Sequence, residues 1–391
     1  MDRNEGKILG ARLSTLCVLR ALLRDPVLGA LCAHLENPSP AAYAEFVSRL
    51  YLRGGDLGAC VWALVEESEN VYVQALGRGE TPPAAMREAL VAELDTLQAV
   101  TELGRAALVA SLDYAGFLPD FMSTPQRLRE DYLHRTQHIG RYGYGLYATH
   151  RMFCLDETGK IVPAPHPDPI EPGDLIEYER ERAIVLQNTR ALLSGKPAAN
   201  ILLTGDAGTG KSATVKAVVN ALWAEGLRMI EARKDQLASL PQLMGELSGN
   251  PLKFIVFLDD LSFPREDDDL GALKAVLEGS VTAKSRNIVL YATSNRRHIV
   301  RETFAEREGD EVHRNDHLQE KRSLSDRFGI HLTFSRPNRA TYLRIVRHLA
   351  RAQGLSLPED ELDAQAERFA LVHGGRSARL ARQFVDELLA R

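Results

Sequence analysis

Eight residues near the middle of the chain, GDAGTGKS at 205–212, have the composition and spacing of a phosphate-binding loop. A glycine, four further residues and then Gly-Lys-Ser bring backbone N–H groups and the start of a helix toward an anion. We expect Lys211 to reach the β and γ phosphates of a nucleotide and the Ser212 hydroxyl to bind Mg²⁺. The alternative is a glycine turn without a ligand. The residues predicted to contact the nucleotide here are Gly205, Asp206, Ala207, Gly208, Thr209, Gly210, Lys211, Ser212 and Ala213.

Two carboxylates follow the apolar run FIVFL, which is typical of a buried strand. The carboxyl end of such a strand lies beside the phosphates in a nucleotide-binding sheet. Asp259 is therefore predicted to hold Mg²⁺, through water, and Asp260 to orient or polarise an attacking water molecule. The alternative is that the two acids merely begin the loop that contains Phe263 and the four acids at 266–269.

These side chains need a sheet to position them, and the pattern from residue 174 onward predicts one. Helical segments alternate with the apolar runs NILLT, LRMIEA, KFIVFLDD, NIVLYATSN and GIHLTF. Strands that alternate with helices predict a doubly wound parallel α/β sheet. Only helical patterns follow Pro337, so residues 174–336 are predicted to be the α/β core and residues 337–391 a small helical domain.

The N-terminal part of the chain has a different organisation. Residues 1–145 show helical spacing and no catalytic pattern, and His134 and His138 lack a nearby third metal ligand. FCLDETGKIVPA predicts a β-hairpin, and PAPHPDPIEP, with five prolines in ten residues, predicts an extended segment. Residues 1–145 are therefore expected to be a separate helical domain, and residues 146–173 a hairpin and proline-rich linker.

Composition excludes some classes of partner. The chain has 391 residues and a net charge of −5. Proteins that bind the DNA backbone usually carry an excess of basic residues, so nucleic acid is not favoured as a partner. No uncharged apolar stretch of about 18 residues occurs, so we expect no membrane span. Four cysteines without metal-type spacing indicate free thiols in a reducing cytoplasm.

Five motifs, taken in order, resemble those of an AAA+ ATPase. They are NILLTGDAGTGKS, FIVFLDDLSF, LYATSNRRH, SLSDRFGIHLTF and HGGRSARLARQF. More narrowly, the chain resembles the uncharacterised bacterial ATP-binding family called domain of unknown function 815, over residues 150–391. The resemblance implies ATP or ADP with Mg²⁺ as ligands, a helical lid over the nucleotide, and self-association through the AAA+ module.

The resemblance also implies roles for single residues. Asn295 matches the sensor position that helps to place the attacking water, although it could simply cap a strand. Arg376 resembles the lid arginine that reaches the γ phosphate, with Arg379 as the fallback, and a surface cap as the alternative. Arg327 matches an arginine finger for a neighbouring subunit's nucleotide, or is a structural ion-pair partner. The residues expected around adenine are Leu175, Ile176 and Tyr178.

Three functions remain open at this point. The first is a cytoplasmic, slow ATPase that remodels a protein partner held by the N-terminal helices. The second is a nucleotide switch or adaptor without turnover, and the third is a loader-type ATPase that acts with nucleic acid.

Three short segments bear on this choice. Asp-Asp stands where many AAA+ proteins carry Asp-Glu, so the second carboxylate is one methylene shorter. A displacement of a catalytic group by about 1 Å can be costly, so this difference favours binding over fast turnover. ARKDQLASL has no aromatic residue at the pore-loop position, which disfavours a peptide-threading unfoldase. The charged segment 296–322 is expected to be solvated or to order at a partner surface.

Overall fold

The computed structural model describes residues 3–261, 273, 277, 286–295 and 327–390. The chain divides into two compact units, residues 1–150 and 151–391. Phe263, the acids at 266–269 and the charged segment 296–322 lie outside the described residues. Among the described helices, none combines the length and the apolar character that crossing a bilayer requires.

The first unit is helical, as the sequence predicts. Several of its helices begin at side-chain caps: the Asp25 carboxylate accepts from the N–H groups of Val27 and Leu28, and Asn70 caps the N–H groups of Tyr72 and Val73. Its apolar helix faces enclose one buried core. The helices are α1 Arg3–Ser14, α2 Pro26–Glu36, α3 Pro40–Tyr51, α4 Leu57–Glu66, α5 Val71–Gly77, α6 Ala84–Thr101, α7 Arg105–Val109, α8 Leu128–Gln137 and α9 Ile139–Tyr142.

The second unit alternates strands and helices before it becomes purely helical. Its elements are β1 Met152–Leu155, β2 Ile161–Pro163, α10 Glu179–Leu193, β3 Ile201–Gly205, α11 Lys211–Leu222, β4 Leu227–Ala232, α12 Leu240–Ser248, β5 Lys253–Leu258, β6 Ile288–Ser294, β7 Ile330–Phe334, α13 Arg339–Ala352, α14 Glu359–Val372 and α15 Ala378–Leu389.

The described strands form one seven-stranded sheet in the order β2-β1-β4-β5-β6-β3-β7. Every neighbouring pair is parallel except β1 with β2. Ile255 and Phe257 pack with α11 on one face, and the alternate residues Val256 and Leu258 are also buried. Both faces of the sheet are therefore covered, which confirms the predicted doubly wound arrangement and places the carboxyl ends of β3, β5 and β6 at one edge.

The hairpin differs from its predicted place in a linker. β1 and β2 do form the expected antiparallel pair, but Met152–Cys154 also pair in parallel with residues 229–231 of β4. The hairpin is thus the edge of the sheet, and the division between the two units falls at residues 150 and 151 instead of within the proline-rich stretch. Hairpin pairing depends on neighbouring residues, whereas pairing with β4 joins segments far apart in the chain.

The proline-rich stretch is also fastened to the second unit. Residues 164–174, which contain most of this stretch and are called the strap below, run beside α11, and the buried side chain of Asn220 holds them there. The Asn220 Nδ2 donates to the carbonyl oxygens of Asp168, at 2.8 Å, and Ile170, at 2.7 Å. Prolines lack a backbone N–H group, so this segment cannot pair fully with a neighbouring strand. The Asn220 side chain instead satisfies two of its backbone carbonyl oxygens.

The three C-terminal helices pack together as a small domain of their own. Tyr342 of α13, Ala366 of α14 and Phe384 of α15 are buried in one apolar cluster. Ile176, from the segment before α10, packs against this cluster. The helical domain therefore has an apolar contact with the segment that precedes the α/β core helices.

Candidate nucleotide-binding site

The phosphate loop joins β3 to α11 through three glycines with backbone angles that other residues avoid. Gly205, Gly208 and Gly210 have φ values of +140°, +76° and +92°. A Cβ atom on Gly205 would lie 2.0 Å from the carbonyl oxygen of Phe334 in β7, so only glycine fits there. Within the described part of the chain, no protein acceptor receives the N–H groups of residues 208–212. These donors, at the start of a helix, suit an anionic ligand.

Lys211 is buried at the base of this loop. Its Nζ donates to the carbonyl oxygens of Gly205, at 2.9 Å, and Asp206, at 2.8 Å, and to Oδ1 of Asn295, at 3.0 Å. Burial lowers the pKa of Lys211, and the nearby carboxylates of Asp259, Asp260 and Asp206 oppose that shift. An ammonium group has three donors, so all three are engaged here and one must be released to a phosphate.

Asp259 lies where the sequence predicts a magnesium ligand. Its Oδ1 accepts from Ser212 Oγ at 2.6 Å and from Thr293 Oγ1 at 2.5 Å. A carboxylate and a hydroxyl oxygen are hard ligands that suit Mg²⁺ with its remaining waters, so the donor set fits this ion. Thr293, the penultimate residue of β6, is a contact that the sequence analysis missed; its position two residues before Asn295, the predicted sensor, was the available signal.

Asp260 and Asn295 form a second pair at the same edge. Asn295 Nδ2 donates to Oδ1 of Asp260 at 2.6 Å, and Asp260 has a φ of +54°, in the left-handed region. Its N–H donates to Oγ1 of Thr293 at 2.9 Å, which fixes this unusual backbone conformation. Asn295 therefore contacts both Lys211 and Asp260, so the predicted water-placing residues and the predicted phosphate-binding lysine lie within one hydrogen-bonded network.

A cavity of about 600 Å³ opens above these residues. Leu175, Ile176 and Tyr178 line it, so the structure brings the predicted adenine-side residues to the phosphate loop. Tyr178 donates to the carbonyl oxygen of Ser335 at 2.5 Å, and its ring lies 5.0 Å from that of Phe334. Burial raises the pKa of Tyr178 to about 12, so the hydroxyl stays a donor at neutral pH.

The helical domain closes the other side of this cavity. Ile345 and Leu349 of α13 line it, and Arg344 of the same helix pairs with Glu177 at 2.5 Å. The N–H of Arg379 donates to the carbonyl oxygen of Gly208 at 3.3 Å, so α15 begins directly against the phosphate loop. The helices thus occupy the position of the predicted lid.

The lid arginines differ from the sequence expectation. Arg376 does not line the cavity, because its guanidinium makes two hydrogen bonds to Glu367 of α14, of 3.0 and 2.8 Å, which lower the pKa of that carboxyl group. Arg379, the fallback, does line the cavity, and Arg382 lines it one helical turn further on. The sequence analysis missed Arg382, although its spacing of three from Arg379 was a signal.

A further arginine, Arg336, fixes the turn that precedes α15. Its guanidinium donates to the carbonyl oxygens of Gly374, at 2.6 Å, and Arg376, at 3.4 Å. Gly375, with a φ of +131°, lies so close that a Cβ atom there would be 1.4 Å from Nη2 of Arg336. This contact, called the Arg336 clamp below, ties the end of the sheet to the start of the lid helix.

One further predicted site residue does not line the cavity in the described part of the chain. Arg327 precedes β7 and is half-buried, and the described lining residues do not include it. The imidazole rings of His134 and His138 are neighbours, with centroids 4.6 Å apart, but no group of three or more metal-binding side chains occurs among the described residues. All four cysteines are free.

The order of the strands defines the class of protein. The phosphate-loop strand β3 lies between β6 and β7, not beside β4, and a three-helix lid follows the last strand. This topology, with the loop of Lys211 at its centre, is that of the AAA+ fold. The chain belongs to the family described as Protein of unknown function (DUF815), whose match spans residues 148–391, more than half of the sequence.

Solved structures with a similar fold include the RuvB Holliday junction branch migration motor of Thermotoga maritima. It is 14% identical with a TM-score of 0.39, and the match covers 57% of this chain and 65% of that one. Its T158V variant is 15% identical, with a TM-score of 0.40 and the same coverage. No curated protein sequence matches the chain.

Proposed function

We propose that the protein is a cytoplasmic AAA+ ATPase that binds ATP with Mg²⁺, hydrolyses it slowly to ADP and phosphate, and remodels a protein partner. One observation carries the proposal. Lys211, Asp259, Asp260 and Asn295, which come from three separate segments of the chain, form one hydrogen-bonded network through Thr293 and Ser212, and all of them line one cavity. A glycine turn without a ligand, the alternative from the sequence, would not require these charged side chains to converge on one cavity.

The phosphate side of the cavity supplies binding energy and orientation. The N–H groups of residues 208–212 and the Lys211 ammonium would face the phosphates, while Leu175 and Ile176 would face the base. Ser212 and Asp259 would hold Mg²⁺, which supplies charge neutralisation for the β and γ phosphates. Arg379 and Arg382 would add positive charge from the lid.

The hydrolytic step uses Asp260 and Asn295. The oxygen of a water molecule forms a bond to the γ phosphorus while the bond from that phosphorus to the β–γ bridging oxygen breaks. The electron pair of the broken bond leaves with ADP, and the proton lost by the water passes to Asp260 and then to solvent. Asn295 orients the carboxylate, and Asp260 orients the water.

Slow turnover follows from the same contacts. Asp260 must leave its hydrogen bond to Asn295, or turn about it, before the carboxylate can meet a water molecule. Its side chain is also one methylene shorter than glutamate, which lengthens the reach to the γ phosphate. A nucleotide switch without turnover is the second candidate, and the Asp260–Asn295 pair favours it.

A protein partner suits the first unit better than nucleic acid does. Leu52, Phe117 and Met122 are among its exposed apolar side chains, with 87%, 87% and 68% of their surface accessible. Exposed apolar surface binds protein more readily than it binds a phosphate backbone. The net charge of −5 points the same way.

Steady-state phosphate release from MgATP tests the proposal. The wild type should release phosphate, and Asp260→Asn should bind ATP with similar affinity while it releases phosphate at least tenfold more slowly. Lys216→Ala, on α11 but outside the cavity lining, is the matched control and should leave the rate unchanged. Binding without release in the wild type would replace the ATPase by the switch.

A further inference from the structure

The strap does more than connect two parts of the chain, because it forms one wall of the nucleotide cavity. Asp168, Ile170 and Asp174 line the cavity together with Leu175 and the phosphate loop. Ile170 is half-buried, whereas most of the other strap residues are exposed. The strap therefore has little packing of its own, and contacts from neighbouring elements must hold it against the cavity.

One side chain provides much of that support. Asn220 is 7% exposed and lies in the last turns of α11, and its amide donates to two strap carbonyl oxygens that are two residues apart. Its Oδ1 has no hydrogen-bond partner within the described part of the chain. A buried amide oxygen left without a partner costs free energy, so this side chain serves the strap at the expense of local stability.

The strap is also fixed at its second end. Asp174 accepts from the N–H of Glu171 at 2.8 Å, and the N–H of Asp174 donates to the carbonyl oxygen of Glu171 at 3.0 Å, which closes a tight turn. The guanidinium of Arg182, from α10, donates to the carbonyl oxygens of Pro172 and Leu175. Pro165, Pro167 and Pro169 restrict the backbone before and within the Asn220 contacts and so lower the entropy lost when the strap is held.

We propose that the strap is the nucleoside-side wall of the site and that Asn220 is the positioning residue that holds this wall. The inference rests on the proposed nucleotide binding and deepens it. The phosphates of the ligand meet the loop 205–212, while the base and sugar lie between the strap and the lid residues Ile345 and Leu349. The ligand class is a nucleoside triphosphate or diphosphate, bound by two separable parts of the cavity.

Two ligands distinguish the two parts of the cavity. MgATP occupies both, whereas magnesium tripolyphosphate occupies the phosphate side alone. Asn220→Ala should raise the Kd for MgATP about tenfold, since it removes two hydrogen bonds that hold the wall, and should leave the Kd for tripolyphosphate within about twofold of the wild type. Lys211→Ala should weaken both ligands.

A second variant covers the case in which Asn220→Ala does not fold. Ile170→Ala changes the half-buried side chain of the wall itself and should also weaken MgATP without weakening tripolyphosphate. Lys216→Ala is the control on the same helix as Asn220, because it contacts Glu231 and lies outside the cavity lining. It should bind both ligands as the wild type does.

Hydrogen–deuterium exchange of the full chain gives a readout that is independent of affinity. The strap carries exchangeable N–H groups at residues such as Asp168, Ile170 and Glu171. MgADP should protect peptides that cover residues 164–175, and tripolyphosphate should not. If wild-type protein binds neither ligand, the proposed function fails. If it binds both, but Asn220→Ala and Ile170→Ala bind MgATP normally and the strap gains no protection, the inference alone is overturned.

Discussion

Among single residues, the lid arginines show how the exact position in a helix decides a role. Arg376 stands at the turn before α15 and binds Glu367, whereas Arg379 and Arg382 lie within the helix and face the cavity. Arg376 therefore stabilises the lid, and the other two place positive charge at the cavity. Successive arginines of this set are three residues apart in the sequence, yet one forms an ion pair within the lid and two line the cavity.

This division leads to a prediction for the three arginines. Arg379→Ala and Arg382→Ala should each raise the Kd for MgATP, by about three- to thirtyfold, because each removes a cation that faces the ligand space. Arg376→Ala should lower the melting temperature of the lid and change the Kd much less. Calorimetric titration and thermal unfolding of all three variants measure both effects. A loss of affinity confined to Arg376→Ala would return that residue to the sensor role.

At the level of the elements, the lid is held to the sheet by a small number of defined contacts. The Arg336 clamp joins the end of β7 to the turn before α15, and Arg344 joins α13 to Glu177 beside the cavity. The clamp holds the turn before α15, and α15 starts against Gly208 of the phosphate loop. Loss of the clamp should therefore weaken nucleotide binding, although Arg336 does not line the cavity.

Two adjacent glycines provide a matched test of the clamp. Gly374 and Gly375 both have positive φ, but a Cβ on Gly374 meets nothing within 4 Å, whereas one on Gly375 displaces the Arg336 guanidinium. Both alanine variants carry backbone strain, of about 1–2 kcal/mol at Gly374 and about 1–3 kcal/mol at Gly375, and only Gly375→Ala should also raise the Kd for MgADP. Arg336→Ala should reproduce that rise. Equal affinities for the two glycine variants would show that the clamp does not act on the site.

The sequence predicted the elements that depend on nearby residues. The phosphate loop needs glycines at fixed spacing before a helix, and the strands and lid helices follow from local apolar patterns, so Lys211 and Asp259 were predicted in their observed places. The partner of β1, the support of the strap by Asn220 and the Arg336 clamp each join residues far apart in the chain. No local pattern specifies such contacts, and the sequence analysis missed them for that reason.

For the whole molecule, the boundary between the two units has a direct consequence. The second unit contains the sheet edge β1–β2, the strap, the nucleotide cavity and the lid. A chain of residues 151–391 should therefore fold and bind MgATP with an affinity within about threefold of the full chain. A chain that starts at residue 174 should aggregate or unfold, because it exposes the edge of β4 and removes the strap. Circular dichroism and calorimetry of the two fragments check this pair.

Self-association is a separate prediction for the whole molecule. Arg327 precedes β7, which is an edge strand among the described strands, and it is not one of the described residues that line the cavity. If it serves the site of a neighbouring subunit, specific ATPase activity rises with protein concentration, since such arginines contribute about 10³–10⁵ in rate. Mixing Arg327→Ala with Asp260→Asn chains should then restore part of the activity. Activity that is independent of concentration, with no rescue on mixing, would make Arg327 structural.

The central claim is that the cavity beside Lys211 binds a nucleotide, and calorimetric titration with MgATP tests it most directly. The wild type should bind one equivalent per chain. Lys211→Ala should lose about 1.5–3 kcal/mol of binding free energy, which is about ten- to a hundredfold in Kd, because it removes the buried cation at the phosphates. Lys216→Ala should bind as the wild type does. The same affinity for wild type and Lys211→Ala, or no heat from either protein, would contradict the account.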